Sequence, residues 1–146
     1  MKVPEPARAQ PTAFDQYASW YDAFNRDDWD AMVKDAVPGF VVDFSRAVGP
    51  WRGVFGPDQA RQIMREIRET FQSARLEPHE FIEAGDLVVM PSTLHVKGRG
   101  GIEVVSSATF VWAIRNGAIE RVSMYQDKEE ALEATGLSKQ DAHADT

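Results

Sequence analysis

Two stretches in the second half of the chain alternate in polarity with the two-residue period of a β-strand. Over 87–96, Val88, Met90, Ser92, Leu94 and Val96 share one face, while Thr93 and His95 point the other way. Over 102–114, Ser106, Ala108, Phe110, Trp112 and Ile114 share a face. Gly98-Arg99-Gly100-Gly101 is the turn between these strands. Asn116-Gly117 tolerates positive φ at both positions and predicts a tight hairpin into a third strand, 118–124. A short Ala/Leu helix, stopped by Gly136, closes the meander.

The first half follows a helical period instead. Phe14, Tyr17, Trp20, Tyr21 and Phe24 recur in steps of three and four, which predicts a helix over 13–26 with one aromatic stripe. A second helix is expected over 28–36, with Trp29, Met32 and Val33 inward and Pro38-Gly39 ending it. Phe40-Val41-Val42-Asp43-Phe44-Ser45 has the β-branched and aromatic content of a strand. The glycine-bearing stretch 46–56 is an irregular loop. Asp58 caps a third helix over 58–73, and 74–84 is a strand ending at the Gly85-Asp86 turn. The order predicts an α+β fold, with helices on one side of a strongly bent sheet.

A curved sheet wrapped around a helix leaves an apolar pocket. Its expected lining is Tyr17, Trp20, Tyr21 and Phe24 from the first helix and Trp51 from the loop. Met90, Ser92 and Leu94, then Phe110 and Trp112, then Met124 follow from the three strands, with Gln126 or Asp127 at the mouth. Such a lining suits a flat, weakly polar ligand, although the same side chains could simply fill the interior.

Composition narrows the function classes. A length of 146 residues fits one domain, with a loose arm over 1–12, a folded body over 13–137 and a polar tail over 138–146. The net charge of −7 disfavours nucleic acid and anionic membranes as partners. No cysteine is present, so thiolate metal sites and disulfides are excluded, and no His/carboxylate spacing suggests another metal site. The opening residues lack the apolar run of a secretory signal and no segment approaches a membrane span, so a cytoplasmic location is the expectation.

Three residues could carry chemistry. Asp43 sits among Val41, Val42 and Phe44, where a carboxylate is costly unless it is paired or faces a cavity. Beside apolar walls its pKa would rise and it could shuttle protons. Otherwise it lies on an exposed face or bonds Arg46 or Arg52. Tyr17 and Tyr21 could donate hydrogen bonds to a developing oxyanion, or could be core aromatics with hydroxyls at the rim. His95 shares its face with Thr93 and Lys97, which look solvated.

The order of these pieces resembles the SnoaL-like branch of the nuclear transport factor 2-like superfamily. The matching segments are Phe40–Ser45, Gly49-Pro50-Trp51-Arg52-Gly53, Glu83–Val89, Gly98–Val104 and Tyr125–Leu137. The resemblance implies a cone-shaped curved sheet around three N-terminal helices with a short C-terminal helix, and a homodimer packed sheet to sheet. It also implies relatives such as ketosteroid isomerase, scytalone dehydratase, limonene epoxide hydrolase and the polyketide cyclases. The isomerase base would fall on Asp43 or Phe44. Its helix-one tyrosine would fall near Trp20, between Tyr17 and Tyr21. Its second acid would fall near Phe110, which cannot donate, and 108–114 lacks the strand Arg-Asp pair of the epoxide hydrolase.

The expected function is a cofactor-independent acid–base enzyme of isomerase, cyclase or dehydratase type, acting on a small apolar carbonyl or polycyclic compound. The alternative is a non-catalytic binding or dimeric interaction domain of the same fold.

Overall fold

The computed structural model describes residues 13–47 and 50–136, with the side chains of 13–17 left out. The chain order is α1 (Ala13–Asn25), α2 (Trp29–Val33), β1 (Ala36–Asp43), β2 (Val54–Phe55), α3 (Pro57–Thr70), β3 (Phe71–Pro78), β4 (Ile82–Ala84), β5 (Leu87–Gly98), β6 (Glu103–Arg115), β7 (Ala118–Tyr125) and α4 (Lys128–Ala134). The strands form one sheet of seven, ordered β2-β1-β7-β6-β5-β3, with β4 also paired to β5. All pairings are antiparallel except β1 with β7. It is a curved, unclosed mixed sheet with four helices, the α+β cone expected. The arm over 1–12 and the tail over 138–146 lie outside the described residues.

Local chemistry sets most boundaries. Asn116 (φ 53°) and Gly117 (φ 79°) make the hairpin between β6 and β7. Asp127 accepts a hydrogen bond from the Glu130 backbone N–H at 2.9 Å, and Glu130 Oε1 accepts the Gln126 N–H at 3.0 Å. This reciprocal cap starts α4. Pro57 occupies the first turn of α3, where its missing N–H costs nothing, and Gly56 rather than Asp58 is the cap.

Two boundaries depart from the expectation. The second helix stops at Val33, and Ala36–Gly39 joins β1 instead, because Ala36 pairs in parallel with Ile119. The ladder is irregular between Ala36 and Val41, which is where Pro38, without an N–H, is tolerated. The expected strand over 74–84 divides into β3 and β4, and β3 begins directly at the end of α3.

The sheet sends alternate residues to two cores. The concave face meets the helices through Val88, Met90, Phe110, Trp112 and Val122, together with Tyr21 and Phe24. Val89, Val111 and Tyr125, one residue out of phase, meet Ala131 and Leu132 of α4 on the other face. The C-terminal helix therefore covers the back of the sheet and does not close the cone.

Candidate functional site

A cavity of about 280 Å³ lies between the concave face and the helices. Trp20 and Phe24 enter from α1, Trp29 and Met32 from α2, and Ile63 and Ile67 from α3. The sheet supplies Val42, Leu94, Phe110, Trp112, Val122 and Met124, and the loop after β1 supplies Phe44 and Trp51. All four tryptophans of the chain are in this wall. Trp20 meets Trp112 edge-to-face at 4.9 Å between centroids and stacks on Phe24 at 5.6 Å. Such quadrupole-matched pairs hold the aromatic wall in one arrangement. Among the described residues, the wall carries no Asp, Glu, His, Lys, Arg or Tyr. Its polar residues are Ser106, Ser107 and Gln126, of which Ser107 is one step out of phase with Ser106 along β6.

The predicted lining therefore divides. Trp20, Phe24, Trp51, Leu94, Phe110, Trp112 and Met124 all reach the cavity. Met90 and Ser92 are on the concave face but do not. Tyr21 covers this part of the sheet: its hydroxyl lies 2.7 Å from Ser92 Oγ, which in turn donates to the Met90 carbonyl at 3.2 Å. Tyr21 is buried and is likewise absent from the cavity wall. Burial pushes its phenol up from the ordinary tyrosine value, against a smaller opposing effect of Ser92. The side chain of Tyr17 lies outside the described residues. Gln126 reaches the wall, while Asp127 caps α4.

Asp43 requires a correction. The expected carboxylate does not project into the hollow: Val42 and Phe44 take those positions, and the strand period turns Asp43 to the other face. There Asp43 is 5% exposed. Arg121 Nη2 donates to its Oδ2 at 2.6 Å, and Arg46 Nη1 stands 3.6 Å from the same oxygen. Its Oδ1 accepts from the Ser45 hydroxyl at 2.6 Å and the Ser45 backbone N–H at 3.0 Å. Burial pushes the carboxyl up, but the Ser45 donors and Arg121 outweigh it and hold the group below its usual value. The carboxylate is charged, paired and turned away from any cavity ligand. Arg121 lies on β7 and Arg46 in the loop after β1; Arg46 also stacks over the Tyr125 ring at 4.3 Å.

His95 pairs with Glu77 at 3.1 Å on the outer face, consistent with its parity. No group of three or more His, Cys, Asp or Glu that could hold a metal occurs among the described residues. No helix among them is long and apolar enough to cross a membrane.

Sequence reasoning missed much of the wall on α2, α3 and β1. The signal was present: Phe40, Val42 and Phe44 alternate along β1, and Ile63, Met64 and Ile67 share the face of α3 that meets the sheet.

A model of the SnoaL-like domain matches residues 17–122. No curated protein matches the chain. Among solved structures, an NTF2-like protein of unknown function from Burkholderia pseudomallei is 24% identical, with a TM-score of 0.70 over 82% of this chain and 94% of that one. TerC, crystallised with polyporic acid, is 20% identical, with a TM-score of 0.70 over 85% and 95%. A Catenulispora acidiphila protein of ketosteroid isomerase-like fold, in complex with trimethylamine, is 15% identical, with a TM-score of 0.68 over 86% and 95%. At such identities the likeness establishes a shared fold and not a shared activity. Matched by the family model over most of its length, and folded as these structures are, the chain belongs to the family of SnoaL-like domains.

Proposed function

We propose that this chain binds a small, largely apolar molecule in the cavity between its sheet and helices. One observation carries the reading: a wall built of tryptophan, phenylalanine and aliphatic side chains, with no ionisable group among the described residues. Removing apolar surface from water drives an uncharged ligand into such a space, while a charged one would lose its hydration without a partner. A volume of about 280 Å³ suits a compact ring system. TerC, of the same fold, was co-crystallised with a small organic compound, polyporic acid, which supports reading this fold as one that takes small organic ligands.

The acid–base enzyme is the weaker reading. Its base would be Asp43, whose neighbours favour the charged form and whose face is opposite the cavity. A carboxyl poised to take a proton from a bound carbonyl compound needs contact with it and a pKa nearer neutrality.

All four tryptophans line the cavity, so the protein reports its own occupancy. Titration with a compact hydrocarbon such as indane should change the tryptophan emission saturably, with one site by calorimetry and a negative heat-capacity change. Emission that stays constant up to the solubility limit, with no heat of binding, would remove the proposal.

A further inference from the structure

The cavity wall is not uniform along its axis. On the concave side of β6, Ser106 is exposed, Ala108 and Phe110 are buried, and Trp112 is fully buried. The neighbouring strands keep step: Met124 pairs with Phe110 and Val122 with Trp112, while Leu94 pairs with Ser106. Continuing the same register past Tyr125, which pairs with Thr109, brings Gln126 beside Ala108 and Ser107. The polar side chains of the wall thus gather at one end, where β6 runs out beyond β7. The indoles of Trp20 and Trp112 pack edge-to-face further in.

Hydrogen-bonding capacity at that end is unspent. Gln126 Nε2 donates to the Arg46 carbonyl at 2.6 Å, but its Oε1 accepts no hydrogen bond among the described residues. Ser106 is exposed, and its hydroxyl has no partner among the described residues. A ligand hydroxyl arriving there could donate to Gln126 Oε1 and accept from a serine hydroxyl, satisfying both of its roles. Charge is unwelcome in the cavity. Among the described residues the wall offers no ionisable side chain to pair with a charged ligand.

We propose that the cavity selects a neutral ring alcohol or phenol, bound ring-first against Phe110 and Met124 with its hydroxyl held at the mouth by Ser106 and Gln126. This inference rests on the binding reading above and specifies the ligand's polarity and direction of entry.

Four probes sharing one ring test it: indane, indanol, indanecarboxylate and protonated aminoindane, titrated by calorimetry into the full chain. Indanol should bind at least as tightly as indane, and the two charged probes about tenfold or more weaker. In a chain carrying Ser106→Ala, indanol should lose about threefold to tenfold in affinity while indane stays within about twofold. Ser106 is exposed, and unchanged indane binding certifies the fold of the variant. A carboxylate or ammonium probe that matches indanol overturns the inference, as does a Ser106→Ala variant that weakens both neutral probes alike or neither. Failure of all four probes, indane included, defeats the binding reading itself.

Discussion

The two faces of the sheet are made by the same strands and treat polarity in opposite ways. On the concave face, residues such as Val42, Phe110, Trp112 and Val122 surround the cavity with no charge among the described residues. One residue along, the opposite face holds the Asp43–Arg121 pair, the His95–Glu77 pair and the apolar seat of α4. The strand period of two lets a carboxylate stand between Val42 and Phe44 without entering their cavity. A residue type therefore says little about a site until its parity is known. Asp43 has the chemistry of a base and the address of a structural ion pair.

The sharpest break in the comparison should come from the concave side. Trp112 is fully buried, meets Trp20 at 4.9 Å and forms part of the cavity wall. Trp112→Ala should cost about 3–5 kcal/mol, the range for aromatic truncation in a packed core. Denaturant unfolding would measure the loss, and indane binding should weaken together with stability. A variant as stable as the parent would mean that this wall tightens only around a ligand.

Asp43→Asn should separate the faces. The amide keeps the shape but loses the charge that Arg121 and Ser45 hold. We expect a loss of about 1–3 kcal/mol, toward the lower end because Arg121 is half-exposed. Ligand affinity in the cavity should stay within about twofold, since the side chain lies on the other side of the sheet. The pH dependence has a definite sign. The folded carboxyl is held below its unfolded value of about 3.9, so its contribution is present above that value and is lost as pH falls through the folded pKa. Acid unfolding of the Asn variant should therefore be less steep in that range. Loss of binding with unchanged stability would reverse the assignment.

The same contrast between faces separates what the amino-acid sequence makes legible from what it hides. The strands over 87–98 and 103–115 are legible because their alternation is strict and the Asn116-Gly117 turn has few alternatives. Most of the aromatic wall is legible for the same reason. Ala36–Gly39 is not: after a helix and carrying Pro38-Gly39, it resembles a stop signal, and only its parallel pairing with β7 makes it a strand. The orientation of Asp43 is half-legible. Val41 and Val42 are both apolar and blur the parity, yet Phe40, Val42 and Phe44 mark the inner set. Arg121, the partner that makes burial of Asp43 tolerable, is remote in sequence, and no local pattern announces it. Tyr21 falls on the right stripe, but its hydroxyl is engaged by Ser92 across the helix–sheet contact, which spacing along one helix cannot foretell.

That contact gives the mildest of the expected effects and tests whether the polar bond beneath α1 is structural. Tyr21→Phe removes the 2.7 Å hydrogen bond to Ser92 without opening a cavity. Ser92 retains the Met90 carbonyl as acceptor, so no orphaned donor is created, and the cost should be about 0.5–1.5 kcal/mol. Alkaline pH sharpens the assignment. Burial raises the phenol's pKa in the folded chain, so its neutral form stabilises the fold fully below the unfolded value of about 10. Above that value the unfolded state ionises first, and the contribution drains away as pH climbs toward the folded pKa. The parent should lose stability above about pH 10 more steeply than Tyr21→Phe, and the variant should bind indane within about twofold of the parent. A tyrosine that instead acted on a cavity ligand would show the opposite pattern: little change in the alkaline unfolding curve, and a marked change in the affinity or chemistry of the bound molecule.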